Sequence, residues 1–278
     1  MTSPLTFTSG NWSTPQTVTI TGVNDTDSVS ETVTISHALS GGGYNAVTMT
    51  NFTATMTDDD LFTSGELFKG KVYLTVTSPD TGRVWLDRNL GATQVAASST
   101  DSAAYGDLYQ WGRATDGHEL RTSATTAILA TTISPGANTF VTNSTAPYDW
   151  TSADSAGSSR VSAWNSGGTN DICPSGFSVP TEAEITADTI SATTTDITNS
   201  ATAFSSFLKI PVAGFRNRAN GALFNVGSHA YLWSRPADGR NSRDLHVSSG
   251  DVSFDSNNRA YGFSVRCIAV VVPLNNIP

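Results

Sequence analysis

The most informative stretch of the sequence is Arg243-Asp-Leu-His-Val-Ser-Ser-Gly-Asp-Val-Ser-Phe-Asp255. Apolar residues occupy every second position on both sides of the central Ser249-Gly250 pair. This alternation predicts two β-strands joined in a hairpin, with one face buried and the other exposed. The exposed face would carry carboxylates, imidazole and hydroxyl groups, without the spacing of a catalytic motif. The pattern therefore favours a recognition surface.

The composition fits a chain of short strands and long ordered loops rather than a helical bundle. Of the 278 residues only 14% are charged and 38% are hydrophobic, and Ser, Thr, Gly and Asn are abundant. The net charge is −9 and the isoelectric point is near 4.7, which argues against non-specific binding of nucleic acid.

The charge is unevenly distributed along the chain. Residues 1–60 hold six acidic residues and no Lys or Arg, whereas residues 211–268 hold seven Arg and four Asp. Arginine donates forked hydrogen bonds and is enriched in interface hot spots. The Arg-rich segment is therefore expected to recognise a protein.

The sequence contains no apolar run of membrane-spanning length, so we expect no direct membrane insertion by this chain. Its N-terminus lacks the basic-then-apolar pattern of a signal peptide. Met1-Thr-Ser-Pro leads almost directly into a strand pattern, and we expect the chain to be a piece of a longer protein.

Residues 1–60 alternate apolar and hydroxyl residues in short segments, which predicts a small antiparallel β-sandwich. The segments are residues 17–21, 32–36, 47–49 and 52–56. Residues 5–20, together with the closing Thr57-Asp-Asp-Asp60, resemble the second half of the immunoglobulin-like Calx-β repeats of bacterial surface proteins.

The resemblance to Calx-β repeats implies that calcium can bind at the acidic ends of the module. The oxygen ligands available for it are Asp25, Asp27, Asp58, Asp59 and Asp60. No ligand-loop spacing fixes a site, and solvated acidic turns account for the same residues. We therefore assign no metal and no cofactor.

An α+β fold is expected beyond a linker at residues 61–70. Residues 71–77 and 83–87 predict a hairpin across 78–82. Thr181-Glu-Ala-Glu184 is a capping box that opens a helix toward Ile190, and residues 201–208 predict a second short helix.

Six phrases along residues 71–270 carry a second resemblance. They are Val84-Trp-Leu-Asp-Arg-Asn-Leu-Gly-Ala92, Tyr105-Gly-Asp-Leu-Tyr-Gln-Trp-Gly-Arg113, Cys173-Pro-Ser-Gly-Phe-Ser-Val-Pro-Thr-Glu-Ala-Glu184, Leu208-Lys-Ile-Pro-Val-Ala-Gly-Phe-Arg216, Leu232-Trp-Ser234 and Gly262-Phe-Ser-Val-Arg-Cys267. Together they resemble the FISUMP family of bacterial surface domains. The resemblance implies a C-type-lectin-like fold, related to the formylglycine-generating enzyme, over residues 71–270 and a tail at 271–278.

Cys173 and Cys267 match neither a zinc pattern nor a CxxC redox motif. The residues alone leave a disulfide and two buried thiols open, and an extracellular setting favours the disulfide. The FISUMP resemblance implies that these two cysteines pair.

Residues 211–268 also resemble the variable segment of lectin-fold proteins that are diversified by retroelements, including phage tropism determinants. In such proteins exposed positions vary while scaffold positions stay fixed. The resemblance implies a variable face that binds a macromolecule, a protein on a cell or virus surface. The residues assigned to this face are Arg216, Arg218, Phe224, His229, Tyr231, Arg235, Asp238, Arg240, Ser242, Arg243, Asp244, His246, Ser248, Asp251, Ser253, Asp255, Ser256 and Tyr261.

No catalytic residue is assigned. The four histidines have no metal-ligand spacing, and a loop beside a glycine turn accounts for Asp116-Gly-His-Glu119. Leu232-Trp-Ser-Arg-Pro236 keeps the tryptophan of the calcium-lectin sugar site and lacks its ligands. We predict a non-enzymatic extracellular protein, displayed on a cell surface or virion, that binds a macromolecule. A carbohydrate-binding adhesin and a structural cell-surface domain are the alternatives.

For the scaffold, the alternation and the quoted phrases predict a set of buried residues. They are Trp85, Trp111, Leu232, Trp233, Leu245, Val247, Phe254, Phe263 and Val265.

Overall fold

The computed structural model describes residues 5–20, 31–44, 46–56, 62–191, 193 and 196–270. The chain forms two compact units. The first consists of Met1–Thr26 and Ser30–Asp58, and the second of Asp27–Val29 and Asp59–Pro278.

The first unit contains one antiparallel strand pair among its described residues, β1 Glu31–Ile35 with β2 Phe52–Met56. The segments at 17–20 and 47–49, which were predicted as strands, are irregular. Large apolar side chains stay exposed; Phe52, for example, is 58% exposed. The described residues of this unit therefore form a single strand pair rather than the predicted sandwich.

The acidic residues considered for calcium, at positions 25, 27 and 58–60, lie outside the described residues.

The second unit is rich in short strands, as the composition predicts. Its strands are β3 Leu67–Phe68, β4 Lys71–Val72, β5 Thr75–Thr77, β6 Val84–Leu86, β7 Tyr109–Gln110, β8 Thr125–Thr126, β9 Phe140–Val141, β10 Phe177–Ser178, β11 Phe215–Arg216, β12 Leu223–Phe224, β13 Ala230–Asp238, β14 Asn241–Val247, β15 Val252–Asn258, β16 Gly262–Phe263 and β17 Ile268–Ala269. Its helices are α1 Ser158–Ala163, α2 Glu182–Ala187 and α3 Ser200–Ser205, together with a 3-10 turn at Ser102–Ala104.

Three antiparallel sheets contain most of the strands of the second unit. Their strand orders are β10-β17-β6-β5, β12-β11-β16-β7 and β13-β14-β15. The last strand, β17, lies between β10 and β6, so the C-terminal segment is tied to strands from earlier parts of the unit.

The start of the second unit differs from the prediction. The hairpin of β5 with β6 is present. However, β4 pairs with the preceding strand β3, and β3 lies within the segment predicted as a linker. Phe62 in the same segment is 6% exposed, and its ring lies 5.6 Å from that of Phe177. These residues are part of the packed unit, since burying an aromatic ring stabilises more than leaving it in a loop.

The capping box predicted at Thr181 is confirmed. Its hydroxyl accepts from the Glu184 amide, and the Glu184 carboxylate accepts from the Thr181 amide. Helix α2 ends at Ala187 rather than continuing toward Ile190. Helix α3 begins one residue before the predicted segment, after an Asn199 cap, and ends at Ser205.

The sheet β13-β14-β15 separates two core clusters. Leu232, Leu245 and Val247 pack with residues of α2 and α3 on one face, while Trp233 packs with Phe263 on the other. Of the nine residues predicted to be buried, eight are buried and Phe254 is half-buried.

The Cys173–Cys267 disulfide is present and lies within the same core cluster as Trp233. Among the described residues, no helix combines the length and the apolar character needed to cross a membrane.

Candidate functional site

The hairpin predicted from the opening stretch is confirmed as β14 and β15, and its register defines the candidate face. His246 lies opposite Tyr231 on one side and Ser253 on the other, and Asp244 lies opposite Asp255. Residues opposite each other in an antiparallel sheet project from the same face. The three strands therefore bring aromatic, imidazole, hydroxyl and carboxylate groups to one side.

Aromatic rings from the neighbouring sheet support this face. The Tyr231 ring stacks 4.9 Å from Phe263 and meets Phe215 edge-on at 5.1 Å. Tyr261 meets Phe215 at 5.4 Å. Both tyrosines are half-buried, and the Tyr231 hydroxyl accepts a hydrogen bond from the Asn225 amide at 2.9 Å. Packing against the core fixes the positions of these two rings.

Two histidines stack beside Tyr231. The His229 and His246 rings are 5.4 Å apart and nearly parallel, and His246 lies 5.1 Å from Tyr231. Burial, followed by the neighbouring His246, lowers the pKa of His229. His246 Nδ1 lies 3.8 Å from a carboxylate oxygen of Asp255, whose side chain is 46% exposed. The pair presents flat polar rings next to an accessible carboxylate.

Asp244 is fully buried beneath this face. Its Oδ1 accepts from the Asn257 amide at 2.9 Å, while its Oδ2 is buried without a hydrogen-bond partner. Burial, with Asp255 adding to it, raises the pKa of Asp244 well above the ordinary carboxyl value. An unpaired buried carboxyl oxygen is uncommon, because the missing hydrogen bond costs about 1–3 kcal/mol.

Arg218 lies at the other edge of the aromatic cluster. Its guanidinium lies 3.8 Å from the centre of the Tyr148 ring and 5.5 Å from that of Tyr261. It also donates to the Asn143 carbonyl at 3.2 Å. Phe224, which is 44% exposed, stacks on Phe215 at 5.8 Å.

We use the name candidate face for the predicted residues that the structure brings together through register or ring contacts. They are Arg218, Phe224, His229, Tyr231, Asp244, His246, Ser253, Asp255 and Tyr261.

Nine of the eighteen predicted residues are not on this face. Four of them either project from the opposite side of the sheet or are buried. Arg243 points to the opposite side, where it makes a two-fold ion pair with Glu182 of α2 at 2.9 and 3.0 Å, and Ser256 lies opposite it in the register. The prediction was wrong here because neighbouring residues of a strand project to opposite faces. Arg216 and Ser242 are buried, at 3% and 0% exposure.

The burial of Arg216 has a clear structural cause. Its guanidinium donates to the carbonyl groups of Gly221, at 2.8 Å, and Leu120, at 3.1 Å, and to both oxygens of Ser123. It thus satisfies main-chain acceptors that would otherwise lack donors, which is a scaffold role.

Of the remaining five predicted residues, Arg235 lies within β13, and the other four lie at the two turns of the sheet. Arg235 bonds Asn165, while Asp238 and Arg240 are exposed around the turn at Gly239. At the opposite turn, the Ser248 amide donates to the Asp251 carbonyl at 2.8 Å. The candidate face does not include them.

The Arg-rich composition of residues 211–268 is largely explained by the scaffold. Besides Arg216, Arg259 and Arg266 are buried. Arg259 donates to the carbonyl of Gly239 at 2.7 Å, and Arg266 to that of Leu208 at 2.8 Å. Burial lowers the pKa of Arg266 to about 9. The inference from arginine count to protein recognition was therefore wrong for these three.

The Asp116–His118–Glu119 cluster forms hydrogen bonds within the protein. His118 is fully buried; its Nδ1 lies 2.7 Å from Asp116, and its Nε2 accepts from the Gln110 amide at 3.0 Å. Burial is the main cause that lowers its pKa to about 4. Because both ring nitrogens have protein partners, a metal ion would have to displace one of them.

Three residues that contact the candidate face were not predicted from the sequence. They are Phe215, Tyr148 and Asn257. Continuing the alternation of Ser253 and Asp255 by one step reaches Asn257, so its position was available from the sequence. Phe215 and Tyr148 are distant from the hairpin, and no local pattern marks them.

Comparison of the chain with protein-family profiles, with curated proteins and with solved structures finds no match.

Proposed function

We propose that the protein recognises a macromolecular ligand, a protein on a cell or virus surface, through the candidate face. The observation that carries the proposal is the half-exposed ring cluster of Tyr231, Tyr261, His229 and His246 beside the accessible Asp255 carboxylate. Aromatic residues with a polar edge supply large contact area and are enriched among residues that dominate binding energy.

The support beneath the face favours binding. Tyr231 is held by Phe215, Phe263 and Asn225, so its ring is ordered before a ligand arrives. Binding to ordered side chains costs less conformational entropy than binding to mobile ones. A rigid, half-exposed patch of this kind can retain high affinity in a small area.

We propose an extracellular location for the protein. The Cys173–Cys267 disulfide is typical of proteins that fold in an oxidising compartment. Protein recognition is also favoured over nucleic acid, because the chain has a net charge of −9.

Retroelement diversification is part of the proposal. Its basis is the resemblance of residues 211–268 to retroelement-diversified lectin-fold segments. The burial pattern of β14 supports it, since the half-buried His246 lies between the buried Leu245 and Val247. Substitution at exposed positions generally changes stability by about 0.5 kcal/mol or less.

Binding of sugars is the second candidate, because half-buried tyrosine rings beside hydroxyl and carboxylate groups also suit a carbohydrate. The proposal gives priority to a protein ligand. The two candidates differ in whether removal of surface glycans abolishes binding.

The test is saturation binding of the fluorescent full-length protein to cells and virus particles from its own source. Wild type is compared with a face variant, His246→Ala combined with Asp255→Ala, and with a matched turn variant, Asp238→Ala combined with Arg240→Ala. Both pairs replace one acidic and one basic residue in the same sheet.

We expect saturable binding that the face variant loses and the turn variant keeps. Protease treatment of the cells should abolish it, and glycosidase or periodate treatment should not. Equal binding by both variants, or no saturable binding to any particle, would contradict the proposal. Loss only after glycan removal would replace the protein ligand by a carbohydrate.

A further inference from the structure

The candidate face contains two neighbouring carboxyl groups that have no strong cation. Asp244 and Asp255 lie opposite each other on adjacent strands. Among the residues that the structure describes, neither forms an ion pair with Lys or Arg, and the nearest basic group is His246 at 3.8 Å from Asp255. Arg243 projects from the other side of the sheet, where Glu182 holds it.

Another buried aspartate of this fold shows how such a charge is balanced. Asp149, 4% exposed, binds the Arg160 guanidinium through two hydrogen bonds of 2.6 and 2.7 Å, and Arg259 lies 3.6 Å away. Asp244 is buried as deeply, yet its Oδ2 has no donor. Asp244 therefore lacks the cation that an ionised buried carboxylate requires, which leaves Asp255 as the carboxylate that an incoming cation can contact.

The surroundings suit a long cationic side chain. The Tyr231 and His246 rings lie beside the carboxylates, and Ser253 and Asn257 add polar groups. The methylene stem of arginine or lysine packs well against rings, while its charged end reaches a carboxylate.

At the other edge the protein already uses this arrangement. The Arg218 guanidinium is stacked over Tyr148 and Tyr261. Among the described residues, no Lys or Arg occupies the corresponding place over the Tyr231 ring. Phe263 and His246 are stacked against the Tyr231 ring instead, so we expect an incoming cation to reach Asp255 beside the rings rather than above Tyr231.

A metal ion fits the pair less well than an organic cation. Among the described residues, the one group of three His, Asp or Glu ligand atoms within 4.8 Å of one another is Asp116, His118 and Glu119. Asp244, Asp255 and His246 do not converge in this way, whereas a metal centre requires convergent ligands.

We infer that the candidate face takes an arginine or lysine side chain of the macromolecular ligand, with Asp255 as the contacting carboxylate and the buried carboxyl group of Asp244 behind it. This inference rests on the proposed function and specifies the chemistry of the partner. The partner presents a protruding basic residue at the centre of its epitope.

The test titrates the isotope-labelled full chain with Nα-acetyl-L-arginine amide and Nα-acetyl-L-lysine amide, followed by NMR. Nα-acetyl-L-citrulline amide is the neutral control, since it keeps the shape of arginine without its charge. We expect saturable shifts centred on His246, Ser253 and Asp255 with both cations and none with citrulline.

Variants locate the charge that matters. Asp255→Asn should weaken binding of the arginine probe about tenfold, Asp255→Glu should largely restore it, and Asp238→Asn, in the same sheet, should leave it unchanged. Asp244→Asn should change binding less than Asp255→Asn does, because Asp244 is fully buried and does not contact the probe. Unchanged indole signals of the buried Trp111 and Trp164 would verify that each variant is folded.

The inference is overturned if citrulline shifts the same residues as arginine, or if Asp255→Asn binds as wild type does. It is also overturned if the shifts lie away from the face. Saturable binding to source cells that depends on the face, with no response to the cationic probes, would leave the proposed function intact and remove this inference. If the cationic probes bind at Asp255 but the protein shows no face-dependent binding to any particle, the cation site stands and the proposed function is contradicted.

Discussion

Asp244 shows at the level of one residue how the candidate face departs from an ordinary sheet. Its carboxyl group is buried and has one unpaired oxygen, and its pKa is raised above 3.8 by burial and by Asp255. The folded state therefore holds the proton of Asp244 more tightly than the unfolded state does.

The raised pKa predicts the pH dependence of stability. Wild type is expected to lose stability relative to Asp244→Asn as the pH rises from about 4 to 8, because the unfolded state ionises this group first. At pH 8 the variant should be more stable by about 1–3 kcal/mol, and near pH 4 the difference should be small. Urea unfolding of both proteins across this range measures it; a difference that does not vary with pH would contradict the burial of the charge.

Trp233, in contrast, is a residue of the core. It is 0% exposed, its ring centre lies 4.2 Å from that of Phe263, and its indole N–H donates to the Tyr109 carbonyl at 2.8 Å. Trp233→Ala should lower the free energy of unfolding by about 3–5 kcal/mol. Chemical denaturation tests this, and a negligible change in the midpoint would show that the register of β13 is wrong.

At the scale of elements, β11 and the turn between β13 and β14 offer two arginines in contrasting settings. Arg216 ties β11 to the loop around Leu120 and Ser123, whereas Arg240 is exposed in the turn. Arg216→Met should cost about 2–4 kcal/mol because main-chain acceptors lose their donor. Arg240→Met should change stability by about 0.5 kcal/mol or less.

Thermal unfolding of the two arginine variants side by side is the check. Equal changes in stability for the two variants would mean that Arg216 is exposed, as the sequence predicted, and not buried.

Much of the second unit could be predicted where a local pattern carries the information. Alternation gives the β14–β15 hairpin, and the capping box gives the start of α2 at Thr181. The burial of Arg216 could not be predicted in this way, because it depends on carbonyl groups about a hundred residues earlier in the sequence. The same applies to Phe215, which joins the face only through tertiary packing.

The sequence predicted the kinds of residue on the candidate face better than it predicted which residues belong to it. Tyr231, His246 and Asp255 lie together as the alternation implies, whereas Arg243 lies on the other side. The local sequence indicates on which side of a strand each residue lies. It does not indicate which side of the sheet is covered by another element, such as α2 beside Arg243.

At the scale of the whole molecule, the two units differ in how much apolar surface they bury. Every buried hydrophobic residue in the described part of the chain lies at Phe62 or beyond, in the second unit. A fragment of residues 59–278 should therefore fold cooperatively on its own. Near-ultraviolet circular dichroism with a single sharp thermal transition would confirm it, and a fragment without tertiary signal would contradict it.

The disulfide is a second whole-molecule feature, since Cys173 and Cys267 are 94 residues apart. Replacing both with Ser should lower the free energy of unfolding by about 4–5 kcal/mol in the chain-entropy model. Urea unfolding of the double variant against wild type measures the loss. No loss would mean that the core cluster around the bridge holds the C-terminal segment without it.

We propose that a fixed scaffold displays a diversified recognition face, and such diversification leaves a record in the DNA that sequencing can read. The measurement is deep sequencing of the codons for residues 211–268, with the adjoining DNA, in a population of the source. We predict a near-copy of this segment beside a reverse transcriptase gene, with variation concentrated at codons of the candidate face such as those for Tyr231, His246 and Asp255. The codons for Arg216, Trp233 and Leu245 should be constant. An intact locus with no second copy, or variation spread equally over scaffold and face codons, would contradict the account.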